Sequence, residues 1–288
     1  MQRRAVAESP GSPSAPMPTI LSHGDAALEV RSVNMPLSVL ILGGTSEGRT
    51  LALRLAADAR FRALLSFAGR TQHVVDPGVP HRVGGFGGVP GLLAHLASEG
   101  HQVLVDATHP FAAQMSENAA AAAARARVPL LRLEGPAWSQ TAGDRWRVVP
   151  SMADAPAALG ELPRRVFLSI GRQEVAAFAR APWHDYLIRA VDAFVPPLAR
   201  ARVIAARGPF ELASELALFE RERVELLVSK NAGTPSTYAK IEAARQLGVP
   251  VVMVARPSLP PVETVPDVAA AVAWLVKHHG APSMRRGV

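Results

Sequence analysis

The sequence predicts an α/β fold: two mostly parallel sheets, each flanked by helices, with a cleft between them. Three observations carry this expectation. Apolar strand-like runs alternate with helical runs from Leu37 onward, the pattern of parallel sheets covered on both faces. Two of the strand-like runs stop at glycine and pass at once into a helical pattern, at Leu42-Gly43-Gly44 and at Ile170-Gly171-Arg172. A stretch rich in turn formers, opening at Gly135-Pro136, separates the two series.

In the first series strands are expected at residues 37–42, 63–67, 103–107 and 129–133, with helices at 47–58, 90–99 and 112–127. The alanine run 119–124 is short and is followed by Arg125 and Arg127, so it reads as a helix in water. In the second series strands are expected at 166–170, 186–191, 203–206, 225–228 and 251–254, with helices near 173–181, 210–222, 237–247 and 267–278. The boundary falls in the 135–150 loop, giving units 35–140 and 141–280. Residues 1–34 hold Ser-Pro and Gly-Ser-Pro clusters without apolar periodicity and are expected to be disordered, as is the tail 281–288. Arg3-Arg4 has no apolar segment behind it, which argues against a secretory signal. Met35 is a candidate start, with the preceding segment either an over-extended reading frame or a flexible leader.

Composition excludes several classes of function. The chain of 288 residues has no cysteine, which removes disulfides, thiolate catalysis and cysteine-ligated metals. No stretch approaches the ~20 apolar residues of a membrane span, and a cytoplasmic protein is expected. The formal charge is +7; residues 1–34 balance and Arg285 and Arg286 supply two, so five lie between. A modest basic excess fits an anionic ligand. With aromatics at 5% and no basic run interleaved with them, a nucleic-acid surface is not expected. No Gly-x-Ser-x-Gly elbow, paired carboxylates or helical His pair is present, so hydrolase, glycosidase and metal chemistry have no anchor.

The stretch from Leu42 to Thr50 carries the strongest local signal. Gly43, Gly44, Thr45, Ser46, Glu47, Gly48 and Arg49 form a strand-to-helix loop. Backbone N–H groups at a helix start bind phosphate, and glycine lets the ligand approach. The loop is one residue from a triphosphate-binding pattern, with Arg49 where lysine is needed, and one glycine short of the dinucleotide fingerprint. An ordinary tight turn is the third alternative. In dinucleotide folds the second strand ends with a carboxylate on the adenosine ribose. Here that end offers Ser66, Gly69, Arg70 and Thr71. Hydroxyls and a guanidinium suit a 2′-phosphate, so NADP(H) is favoured over NAD(H).

Polar residues gather at other strand ends, where open α/β sheets place their ligands. Asp106, Thr108 and His109 follow the strand at 103–107, with a capped turn as the plainer alternative. Ser229, Lys230 and Asn231 end another strand before a Gly-Thr-Pro turn and a helix start near Thr237. Arg207, Arg172 and Arg132 lie near further strand ends. Together these cations form a candidate rim for carboxylates.

Several motifs in order resemble the precorrin-6A reductase family of corrin-ring (vitamin B12) biosynthesis: "ILGGTSEGRTLA", "AGRT", "DATHPFA", "LRLEGPAW", "SIGRQEVAAF", "AARGPF" and "SKNAGTPSTYAKIEAARQLGVPVVMVARP". They span about residues 37–257. The resemblance implies two Rossmann-like domains and NADPH-dependent reduction of a ring double bond of precorrin-6A, giving precorrin-6B; in the anaerobic branch the substrate carries cobalt. It implies an anionic tetrapyrrole as partner and transient contact with neighbouring pathway enzymes. Lys230, His109 and Asp106, in that order, become candidates for the proton donor. Arg172, Arg207, Ser229, Lys230, Asn231 and Thr237 become candidates for substrate contact, and the 43–49 loop, Ser66, Gly69, Arg70, Thr71 and Thr108 for the cofactor. Two departures stand out: Gly135 where arginine is expected, and "NAGTPST" where a turn richer in glycine or serine is expected. A regulatory NADP-binding protein and a nucleotide-dependent kinase are the rival readings.

Overall fold

The computed structural model describes residues 35–68 and 76–279. Its first sheet contains β1 (Leu37–Leu42), β2 (Phe61–Phe67), β3 (His81–Val83), β4 (Val103–Asp106), β5 (Leu130–Leu133) and β12 (Glu263–Val265). The spatial order is β12-β5-β4-β1-β2-β3, and every neighbouring pair is parallel. Counted along the chain, this is the dinucleotide-binding order 3-2-1-4-5-6, with its reversal between β1 and β4. The second sheet contains β6 (Trp146–Val149), β7 (Arg165–Ser169), β8 (Asp185–Ala190), β9 (Ala201–Ala205), β10 (Leu226–Lys230) and β11 (Val251–Val254). It runs β6-β11-β10-β7-β8-β9, again all parallel, and reverses between β7 and β10.

Burial on both faces explains the near-continuous apolar strands. Val39 and Ile41 point into one core with α1 (Ser46–Ala56) and α6 (Val268–His279). Leu40 and Leu42 point into the other, with α2 (Gly88–Ser98) and α3 (Ala113–Ala126). In the second sheet, Phe167 and Leu187 pack with α4 (Leu212–Arg221) and α5 (Ala239–Gln246), while Val166, Leu168 and Ile188 face the 3-10 helices Pro156–Leu159 and Arg172–Arg180.

Three strands of this fold are absent from the sequence expectation: β3, β6 and β12. One topological feature is absent too. The last helix, expected in the second series, and the unexpected strand before it belong to the first sheet: β12 pairs with β5, and Ala271, Trp274 and Leu275 of α6 join the core around Val39 and Ile41. The chain therefore crosses twice between the halves, at residues 134–145 and 255–262. The helix expected near 173–181 is a 3-10 helix, Arg172–Arg180. Among the described residues no helix is long and apolar enough to cross a membrane.

Candidate active site between the two switch points

The glycine loop sits at the β1/β4 reversal. Gly43 N–H donates to the Ser66 carbonyl at 2.8 Å, continuing the β1–β2 ladder by one bond. A Cβ on Gly44 would lie 3.2 Å from the His109 backbone nitrogen, and one on Gly48 would lie 2.9 Å from the Ala107 Cβ. Two of the glycines therefore let the loop after β1 and the first turn of α1 lie directly against the loop after β4. Thr45 caps α1: its Oγ1 accepts from Gly48 N–H at 3.1 Å and donates to the Ala107 carbonyl at 3.0 Å. The remaining first-turn N–H groups of α1 have no partner inside the helix. Ser46 and Arg49 are exposed and Glu47 is half-buried; Ser46 Oγ donates to Glu47 Oε2, and Arg49 reaches the Asp76 carbonyl.

At the end of β2, buried Ser66 accepts from Arg82 Nη1 at 2.8 Å. Arg82 lies on β3 and stacks over Phe86, its guanidinium carbon 4.0 Å from the ring centre. No sequence signal singled it out, because its nearness to Ser66 depends on β2–β3 pairing. Gly69, Arg70 and Thr71 lie outside the described residues.

Asp106 closes the turn after β4. It is buried, accepts from Thr108 N–H at 3.2 Å and Thr108 Oγ1 at 2.7 Å, and pairs with Arg132 at 3.4 Å. Its carboxylate shapes the turn after β4. Arg132 is buried with it and also donates to the Pro260 carbonyl, so it leaves the rim and ties the second crossover to β5. His109 Nδ1 accepts from Phe111 N–H at 3.2 Å, which leaves Nε2 as the ring's donor. Burial, with Lys230, Lys240 and Arg256 nearby, pushes His109 down to about 4. It is neutral at neutral pH.

Lys230 lies at the β7/β10 reversal. Its Nζ is 2.6 Å from Glu174 Oε2 and 5.1 Å from the centre of the Phe111 ring. Glu174 Oε2 also accepts from Gly171 N–H at 2.9 Å, so the glycine turn after β7 holds the partner of the lysine. Phe111 comes from the first half, just past His109. The two reversals thus face one another, with Lys230, Phe111 and His109 at their junction. Glu174 and Phe111 were both within quoted motifs but carried no signal of this pairing.

The other strand-end residues divide. Ser229 is fully buried and its hydroxyl donates to the Lys230 carbonyl at 3.2 Å. The Asn231 amide is spent on Trp138, accepting from its N–H at 2.7 Å and donating to its carbonyl at 2.9 Å. Thr237 Oγ1 pairs with Thr234 Oγ1 at 2.9 Å. Arg172 is exposed and stacks over Phe194; Arg207 is exposed on the loop whose Phe210 N–H donates to the Ser236 carbonyl. A narrow crevice of about 20 Å³ separates Thr45, Glu47 and Thr108 of one half from Ala232, Gly233 and Thr234 of the other. Among the described residues no group of His, Asp and Glu is arranged to hold a metal.

The family model described as precorrin-6x reductase CbiJ/CobK matches residues 38–276. A precorrin-6A reductase of Rhodobacter capsulatus is 46% identical over 252 residues, 87% of this chain and 99% of its own. One from Sinorhizobium sp. is 49% identical over 229 residues, 79% and 88% of the two chains. A cobalt-precorrin-6A reductase of Priestia megaterium is 27% identical, over 77% of this chain and 91% of its own. The solved structure titled CobK precorrin-6A reductase superposes with a TM-score of 0.81 at 46% identity, covering 86% of this chain and 98% of that one. With a family model spanning nearly all the described fold and relatives matched over almost their whole length, the chain belongs to the precorrin-6x reductase family.

Proposed function

We propose that this protein reduces one ring double bond of precorrin-6A to give precorrin-6B, with NADPH as reductant, in corrin-ring biosynthesis. The carrying observation is the facing pair of switch points: a 3-2-1-4-5-6 sheet with a glycine loop at its reversal, opposed by a second reversal bearing Lys230. The relatives' names supply the substrate. Relatives named for the cobalt-free substrate are the more similar, at 46–49% against 27%, which supports metal-free precorrin-6A.

The residues fit a dinucleotide. Gly44 sits where the two loops of the reversal meet closely, with an added Cβ only 3.2 Å from the His109 nitrogen, and the start of α1 offers N–H groups and the positive end of its dipole to a pyrophosphate. Gly43 to Arg49 and Thr108 would hold the cofactor there, with Ser66 at the end of β2 towards the adenosine ribose; Arg70, expected from the sequence to meet a 2′-phosphate, lies outside the described residues. NADPH supplies hydride when bound.

The chain's own residues position and protonate. Lys230, held by Glu174, delivers the proton to the ring, and Arg172 and Arg207 take the acetate and propionate groups. Neutral His109 donates from Nε2 and orients. The crevice of about 20 Å³ has room for little more than one water as it stands. The test is loss of NADPH absorbance on adding precorrin-6A without divalent metal. A magnesium requirement or turnover of a nucleoside triphosphate would favour the kinase reading, and NADPH binding without turnover the regulatory one.

A further inference from the structure

We infer that the hollow between Trp138 and Tyr238 is the stacking subsite for one edge of the tetrapyrrole. This rests on the proposed reduction. The hollow holds about 360 Å³ and is lined by Trp138, Ser139, Gly233, Pro235 and Tyr238. It adjoins the crevice between the switch points, because Gly233 lines both. A flat conjugated ring seated on Trp138 would therefore extend towards the place where the two reversals meet.

The walls are built rather than incidental. Trp138 and Tyr238 meet edge to face, ring centres 5.6 Å apart. The Trp138 backbone is held on both sides by the Asn231 amide at 2.7 and 2.9 Å. Buried Lys240 sits 5.3 Å from the Trp138 ring centre and donates to the Thr237 carbonyl, and Arg245 bonds the Tyr238 hydroxyl. Gly233 has φ +76, and a Cβ there would lie 2.2 Å from the Pro136 carbonyl oxygen, so this lining position requires glycine. Phe210 N–H donates to the Ser236 carbonyl, which brings the Arg207 loop to the Pro235 side of the hollow. Aromatic rings offer a π-face to a conjugated macrocycle.

The experiment is equilibrium titration of precorrin-6A and, separately, NADPH against wild type, Trp138→Leu and Trp138→Phe, followed by tryptophan quenching and steady-state kinetics. The leucine variant should lose about tenfold in precorrin-6A affinity and raise its KM equally, a loss typical of an aromatic contact plus its area. NADPH affinity and kcat should stay within about twofold. Phenylalanine should restore most of the affinity. Unchanged precorrin-6A affinity in the leucine variant would overturn the subsite and leave the reductase reading standing. Equal loss for both ligands would overturn it too, assigning Trp138 to scaffolding. Wild type that neither binds nor reduces precorrin-6A would remove both. Should the leucine variant not fold, the phenylalanine variant decides: precorrin-6A should quench it less than wild type at saturation, and equal quenching would refute the assignment.

Discussion

Arg256 should be the residue on which the relation of the two halves depends most. It sits at the start of the second crossover and reaches back to the first. Nη1 donates to Glu134 Oε1 at 2.8 Å and to the Gly135 carbonyl at 2.9 Å; Nε donates to the Asn231 carbonyl at 3.1 Å and Nη2 to the Ala232 carbonyl at 3.0 Å. The side chain is 16% exposed and Glu134 is 20% exposed. Truncation to alanine leaves a carboxylate and three carbonyls without this partner. Breaking a fully buried pair costs ~3–5 kcal/mol; partial exposure lets water take some of the bonds, so we expect about 3 kcal/mol. For a chain of this size each kcal/mol moves Tm by about 2–4 °C, so Tm should fall by roughly 6–12 °C. Urea unfolding at unchanged m-value and calorimetry measure this. Arg256→Lys keeps the charge but not the fork and should recover less than half. A loss below about 1 kcal/mol for alanine, or a lysine variant equal to wild type, would refute this role.

Other outcomes follow from the site. Lys230→Met should lower kcat by about a hundredfold or more, the usual worth of a positioned proton donor, with NADPH affinity unchanged; a loss under threefold would assign the proton to water or His109. Arg70→Ala should weaken NADPH by roughly ten- to a hundredfold and leave NADH unmoved; equal loss for both would make it a loop-shaping residue, and no loss would move the phosphate contact to Arg82 or Arg49. Stability should fall as pH drops from about 6.5 to 4. His101 and His109 are both pushed down to about 4, mainly by burial. Their folded values lie below the unfolded value of about 6.5, so each contribution is complete above 6.5 and is lost by up to about 1.4 kcal/mol per pH unit on acidification. Chemical denaturation across that range should flatten in His101→Leu; an identical slope would refute the assignment.

Much of the fold was legible in the sequence because both faces of each central strand are buried. β11 falls where an uninterrupted apolar run places it, and β1 does so but for Ser38, whose buried hydroxyl is bonded to His101 and Arg62, since the other residues must be apolar whichever face they meet. β3, β6 and β12 are edge strands with exposed polar positions such as His81, Arg147 and Glu263, so no apolar run marks them. The return of β12 and α6 to the first sheet is a pairing over more than a hundred residues, with no local signature. At the site, the glycine loop is legible because the chain must change from strand to helix without side chains in the way. Strand-end polar residues are not. Asp106, Asn231 and Lys230 occupy equivalent positions in sequence, yet Asp106 and Asn231 are spent on Thr108 and Trp138 while Lys230 faces the other half. Only the packing of one sheet's carboxyl end against the other's separates them.

The most direct test of the central claim is a single turnover of precorrin-6A with NADPH deuterated at the nicotinamide C4 position, in metal-free buffer, read by mass spectrometry. The product should gain two hydrogens, one of them deuterium delivered as deuteride by the cofactor and the other a proton from solvent. A product carrying no deuterium from either C4 face, or no product while the nucleotide is unchanged, would contradict it.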